Sequence, residues 1–331
     1  MQVSTRTDIS PVEQLHALVA ADMRATDVLI HERLSSAVAL IPDLAKHLID
    51  SGGKRLRPLL TLAAAQVGGY HGAHHIKLAA AVEFIHTATL LHDDVVDDSA
   101  LRRGKVSANI VWGNKASVLV GDFLFSRAFE LMVETDELKV LGILSHASAV
   151  ISEGEVMQLK SSGNLQASED HYLRVVSAKT AELFAAAAEA GAVIAGGEHA
   201  KALRAYGQNL GIAFQLVDDA LDYSGRQALM GKAVGDDFRE GKVTLPVILA
   251  VARADEAALK FWKKTIEMGT QGEADLDRAI TLVEQTGAIA DTMERARGYA
   301  GLACRALETL PESKIRDVLA AVADFCVARA Y

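Results

Sequence analysis

Apolar positions along the chain recur at intervals of three and four, in long blocks. The blocks run over 11–36, 42–50, 58–69, 74–98, 107–133, 137–160, 168–196, 199–223, 244–267, 273–286, 288–309 and 311–330. This spacing keeps one stripe of a helix apolar, and no alternating run of useful length predicts a strand. Pro11, Pro42, Pro58, Pro246 and Pro311 fall where helices could begin. Proline is tolerated in a first turn and costs ~3 kcal/mol inside a helix. Ser10 with Glu13 three residues on has the pattern of a capping box. No short repeat, low-complexity tail or linker separates the blocks, so residues 1–331 read as one all-α domain.

Composition supports this. Half of the 331 residues are hydrophobic but only 5% are aromatic, a balance that favours packed helices over sheets. A net charge of −9 argues against nucleic acid as the main partner. It does not exclude an anionic substrate, because the cations cluster locally. Cys304 and Cys326 form neither a metal spacing nor a disulfide framework, and reduced thiols in a cytoplasmic protein are expected. Residues 1–14 lack the layout of a secretory signal, and no window holds about 18 uncharged apolar residues, so no membrane span is expected.

The candidate chemistry begins at Asp93-Asp94-Val95-Val96-Asp97, which closes an apolar, alanine-rich block. On a helix Asp93 and Asp97 share a face, and like charges so spaced destabilise it by roughly 0.2–0.5 kcal/mol per pair. A cation would offset that repulsion. Carboxylate oxygens without histidine or cysteine beside them favour Mg²⁺, which leaves coordination positions open for phosphate. Arg102 and Arg103 follow, with the planar donors that grip phosphate. A lone motif of this kind is often a solvated helix end, but Asp218-Asp219-Ala220-Leu221-Asp222 repeats it after a second apolar block. Two such faces could oppose each other across a cavity and clamp a metal-bound diphosphate.

Other segments fit that picture, each with a blander alternative. Ser51-Gly52-Gly53-Lys54-Arg55-Leu56-Arg57-Pro58 sets three cations before a helix start, where a basic surface turn is the plain reading. His86 lies seven residues before Asp93, on nearly the same face. Lys179-Thr180 is either a snorkelling lysine with a back-bonded threonine or a phosphate contact. Phe214-Gln215 precedes the second motif. Residues 224–243 are glycine-spaced and carry Lys232, Asp236, Asp237, Arg239 and Lys242, as a phosphate cover or a merely flexible loop would.

In this order the motifs resemble those of the trans-isoprenyl diphosphate synthase (polyprenyl synthetase) family over essentially the whole chain. The elements are Gly-Gly-Lys-Arg-Leu-Arg-Pro, Glu83-Phe84-Ile85-His86-Thr87, the first Asp-Asp-x-x-Asp with Arg-Arg-Gly, Lys179-Thr180, Phe214-Gln215 before the second Asp-Asp-x-x-Asp, and Gly241-Lys242-Val243-Thr244-Leu245-Pro246. The resemblance implies an all-helical bundle around a deep central cavity, usually in a homodimer, with two or three Mg²⁺ ions. It implies head-to-tail condensation of isopentenyl diphosphate onto an allylic diphosphate, with farnesyl diphosphate the expected primer. Carried over by motif, Asp93, Asp94, Asp97, Asp218, Asp219 and Asp222 hold the metals. Lys54, Arg57, His86 and Arg103 bind isopentenyl diphosphate, and Arg102, Lys179, Thr180, Gln215, Lys232 and Lys242 bind the allylic diphosphate. Peripheral contact with a membrane would serve product release.

Three other readings lose ground on the residues. Glu83-x-x-His86 is half of a di-iron bundle motif, but no second Glu-x-x-His follows. A terpene cyclase would have no use for an isopentenyl diphosphate site. A non-catalytic subunit would tend to lack aspartates or arginines that are all present here. For product length, Ala88 stands where short-chain members of the family often carry a bulky aromatic, and Thr89 beside it is also modest in size. The pattern is similar to octaprenyl to decaprenyl synthases that make quinone side chains, with a farnesyl or geranylgeranyl synthase, or a non-catalytic subunit of a heteromeric synthase, as the alternatives.

Overall fold

A computed structural model describes residues 9–224 and 235–328. In chain order the helices are α1 (Pro11–Leu18), α2 (Ala20–Arg33), α3 (Leu40–Ile49), α4 (Leu56–Val67), α5 (His74–Val96), α6 (Ala108–Trp112), α7 (Asn114–Val133), α8 (Leu138–Ser161) and α9 (Glu169–Val176). They continue with α10 (Glu182–Ile194), α11 (Ala200–Asp222), α12 (Asp236–Arg239), α13 (Leu245–Ala252), α14 (Glu256–Trp262), α15 (Asp275–Gln285), α16 (Ala288–Leu307) and α17 (Lys314–Ala328). Between α5 and α6 a two-residue antiparallel pair, β1 (Leu101–Arg102) and β2 (Lys105–Val106), forms the only strands among the described residues.

The helices α5, α10 and α11 form the centre. Helix α5 packs on α4, α7 and α10, while α10 packs on α4, α8 and α11, and α11 on α16 and α17. Their apolar residues surround the helix axis, as expected for a helix enclosed by others: Leu78 to Ile85 are all buried, and so are Leu183 to Ala188. The Ser10–Glu13 capping box forms as the spacing indicates.

Several predicted blocks are interrupted, each for a local reason. The first breaks at Val19 and ends at Arg33. The block over 107–133 divides at Gly113, whose φ of 84° suits glycine. The block over 244–267 divides where Asp255 caps a new helix, its side chain accepting from the Ala258 amide. Pro311 precedes α17 rather than opening it, since that helix starts at Lys314.

The block over 168–196 is continuous but changes pitch. Ser177–Ala181 is a π-turn between α9 and α10, which re-aims Lys179 and Thr180. Two glycines let neighbours close on it. A Cβ on Gly154 of α8 would lie 2.7 Å from the Lys179 amide nitrogen, and one on Gly211 of α11 would lie 2.6 Å from the Ala181 Cα. Gly211→Ala is therefore expected to destabilise the protein by ~1–3 kcal/mol through overpacking against backbone. An unchanged urea midpoint would contradict this contact.

Candidate active site

The cavity, about 860 Å³, opens between the start of α4, the end of α5, α8, the π-turn and the end of α11. Helix α5 sends His86, Thr89, Leu90, Asp93 and Asp97 to its wall, a stripe at three- and four-residue spacing. From α11 come Phe214, Gln215, Asp218 and Asp219. The two acidic motifs thus face one cavity, as their repetition suggested.

Within each motif the aspartates do different jobs. Asp93 and Asp97 line the cavity, but Asp94 does not: it is fully buried, and its Oδ1 accepts from Arg102 Nε at 2.8 Å and Nη2 at 2.5 Å. Burial raises the Asp94 carboxyl against the pull of Arg102. In the second motif Asp218 faces the cavity, while Asp219 accepts from Tyr172 Oη at 2.5 Å and Gln215 Nε2 at 2.7 Å. Asp222 lies off the cavity wall and caps α12, accepting from the amides of Gly235, Asp236 and Asp237 at 3.0–3.3 Å. Of the six aspartates expected to hold metal, Asp94 and Asp222 thus lie behind the wall, Asp94 Oδ1 on an arginine and Asp222 at a helix start.

Arg102 and Arg103 reach the site on the β1–β2 hairpin. Its two-residue turn, Arg103-Gly104, has φ of 53° and 74°, the positive pair of a tight hairpin turn. Arg102 turns onto Asp94, and Arg103 Nη1 donates to the Gly52 carbonyl. Gly53, at φ 140°, leaves room for that guanidinium, which a Cβ would meet at 2.9 Å.

Beside it, Arg57 stacks on the Phe184 ring, 4.3 Å from its centroid, and its Nη1 lies 3.2 Å from His86 Nε2. Burial pushes the Arg57 guanidinium down to about 10 and drives the His86 imidazolium well below its ordinary value. His86 is thus neutral, with Nε2 assigned as the acceptor. Buried Glu83 lies among these groups, raised by burial and opposed by Arg55, Arg103 and Arg57. Lys54 lies at the cavity edge, 5.9 Å from the Phe325 ring of α17.

On the opposite side, Lys179 Nζ is 2.7 Å from Glu155 and 3.6 Å from Asp93. Thr180 Oγ1 donates to Gln215 Oε1 at 3.0 Å, which extends the Gln215–Asp219–Tyr172 network. Lys242 Nζ bridges Asp97 at 2.8 Å and Glu240 at 2.5 Å. Although burial pulls it down, Asp97 and Glu240 hold the Lys242 ammonium above its ordinary value. Lys232 lies outside the described residues. Ala88 is absent from the cavity wall. It is fully buried in the core, about 140° round α5 from Asp93 at 3.6 residues per turn, whereas Thr89 is on the wall.

Sequence reading missed Glu155, Glu240 and Tyr172. Neither Glu155, one of several polar residues near the end of α8, nor Tyr172 carried a signal.

Comparison with known proteins places the chain. Residues 38–283 match the Polyprenyl synthetase family. The chain belongs to that family. An octaprenyl diphosphate synthase of Haemophilus influenzae is 43% identical over 98% of this chain and 99% of its own. A polyprenyl synthase of Caulobacter crescentus, solved with calcium and isoprenyl diphosphate, superposes with a TM-score of 0.95 at 56% identity, covering 98% of this chain and 99% of its own. A decaprenyl diphosphate synthase structure from Rhodobacter capsulatus gives 0.93 at 53%, covering 97% and 100%.

The two kinds of aspartate should separate in mutants. Asp94→Ala removes the carboxylate that holds Arg102 and is expected to lower stability by about 1.5–3 kcal/mol. Asp93→Ala should leave the unfolding midpoint nearly unchanged and remove most turnover. Equal loss of stability in both would contradict the division.

Proposed function

We propose that this cavity joins isopentenyl diphosphate head to tail to an allylic diphosphate, with each diphosphate held on its own side. The chain is a long-chain trans-polyprenyl diphosphate synthase, a prenyltransferase, in keeping with octaprenyl and decaprenyl synthases that match it over nearly its full length. The observation that carries the site reading is the facing of two acidic helix ends beside two separate groups of cations.

The donors fit Mg²⁺. Asp93, Asp97 and Asp218 offer only hard oxygen ligands, and no three His, Cys, Asp or Glu among the described residues make a preformed cage. That suits an ion held by few carboxylates and completed by phosphate and water. When bound, two or three Mg²⁺ would neutralise the diphosphate leaving group. Asp93, Asp97 and Asp218 would hold them, with Asp219 beside them on the wall and Asp94 and Asp222 supporting from behind.

Arg57, Arg103, His86 and Lys54 bind isopentenyl diphosphate in this reading. Lys179, Thr180, Gln215, Lys242 and Lys232 take the allylic diphosphate, with Arg102 braced beside them by Asp94. The allylic carbon–oxygen bond breaks, the isopentenyl double bond attacks the resulting cation, and loss of a proton yields a chain one unit longer. Leu90, Val175, Val176 and Phe214 on the wall keep water from the cation. The growing tail passes Thr89 and enters the core beside Ala88, so small residues there permit long products. Farnesyl diphosphate is the expected primer.

A homodimer also belongs to this reading. Val118, Leu119, Phe129 and Val133 on α7 and Val156 and Leu159 on α8 are exposed apolar side chains suited to a second copy. A cytoplasmic location with peripheral membrane contact during product release fits a chain in which no described helix is long and apolar enough to cross a membrane.

Purified protein supplied with Mg²⁺, farnesyl diphosphate and isopentenyl diphosphate should make octaprenyl to decaprenyl diphosphate unaided. No product beyond geranylgeranyl diphosphate would overturn the long-chain assignment. Arg57→Ala should raise KM for isopentenyl diphosphate about ten- to a hundredfold, the equivalent of ~1.5–3 kcal/mol for a lost charged hydrogen bond, with little change for the primer. Equal shifts for both substrates would mean the sites are misassigned. Thr89→Phe and Ala88→Phe should shorten the product to farnesyl or geranylgeranyl length, read by chromatography after dephosphorylation. Active variants that still make full-length chains would sink the route past α5.

A further inference from the structure

Each first-motif aspartate on the cavity wall meets a lysine, and each lysine meets a glutamate that belongs to neither acidic motif. Asp93–Lys179–Glu155 joins α5, the π-turn and α8. Asp97–Lys242–Glu240 joins the end of α5 to the segment after α12. All six side chains are only 16–26% exposed, so their charges are poorly screened by water. The first triad depends on backbone closeness, since Gly154, next to Glu155, lets α8 come against Lys179 itself.

A divalent metal approaching Asp93 or Asp97 must displace an ammonium already there. An ammonium stripped of its only partner in a half-buried site is strongly disfavoured. The glutamates prevent that loss. We propose that Glu155 and Glu240 are positioning residues of the prenyl-transfer site: each retains its lysine when metal takes the aspartate, and holds it where the incoming diphosphate can accept from it. This rests on the reading of the cavity under Proposed function and adds two residues to it. Metal and diphosphate are then bound together, because the diphosphate supplies the displaced lysines with a further anionic partner.

The test is calorimetric titration of the full chain with Mn²⁺ in the presence of inorganic diphosphate, alongside steady-state kinetics. Glu155→Gln should weaken Mn²⁺ binding about 5- to 10-fold and raise KM for the allylic primer by a similar factor, as expected for a partly exposed ion pair within a network. KM for isopentenyl diphosphate should stay within about twofold, which also reports an intact fold. In a Lys179→Met background Glu155→Gln should have no further effect on Mn²⁺ affinity, because no ammonium remains to be held. Glu240→Gln should behave likewise against Lys242→Met. Wild-type Mn²⁺ affinity in both glutamate variants would overturn the proposal. So would persistence of the loss in the methionine backgrounds, which would make the glutamates metal ligands or packing groups. Wild-type protein that binds Mn²⁺ with diphosphate yet makes no polyprenyl product would count against the synthase reading alone.

Discussion

Mutual repulsion of carboxylates around one cavity is the constraint to which most of this structure responds. Asp93, Asp97, Asp218, Asp219 and Glu155 all line it, and Asp94 and Asp222 lie just behind. At an effective dielectric of about 20, two unit charges 4 Å apart interact by roughly 4 kcal/mol, comparable with a large part of a domain's net stability. Each carboxylate in the buried layer accordingly has its own donors: Arg102 for Asp94, Tyr172 and Gln215 for Asp219, three backbone amides for Asp222. Burial raises Asp94 and Asp219, and these partners pull the other way.

Meeting that demand requires backbones to come unusually close. The π-turn aims Lys179 and Thr180 into the cavity, while Gly154 and Gly211 leave room for it between α8 and α11. The tight turn of the β1–β2 hairpin does the same for the arginines, sending Arg102 one way and Arg103 the other. Local backbone irregularity thus delivers the cations of the site, while α5 and α11 remain regular up to their acidic ends.

This explains what was legible in the chain. Helices and their apolar stripes follow from periodicity, and the paired acidic motifs, the Gly-Gly-Lys-Arg loop and Lys179-Thr180 stood out because charge in an apolar run is conspicuous. Which aspartates face the cavity was not legible, because spacing places Asp94 beside Asp93 but says nothing of Arg102 folding back onto it. The π-turn was hidden for a similar reason: one extra residue in a turn leaves an alanine-rich pattern unbroken. Tyr172 was hidden because a buried aromatic in a helix is ordinarily core. Motif distance did not show that Ala88, five residues before Asp93, lies in the core behind Thr89, which is on the wall.

The division between arginine and lysine follows the same logic. Arg57 is held by the Phe184 ring and His86, Arg102 by Asp94, and Arg103 by the Gly52 carbonyl. Planar guanidiniums so anchored are preorganised and lose little freedom when a diphosphate arrives. Lys179 and Lys242 instead bridge pairs of carboxylates through flexible stems and can exchange one anionic partner for another. In the proposed reading, Arg57 and Arg103 are the fixed cations of the isopentenyl diphosphate site, which must be refilled in every cycle, while Arg102 braces the allylic side. Exchangeable ones suit the side where, in the same cycle, a diphosphate must first be neutralised and then let go.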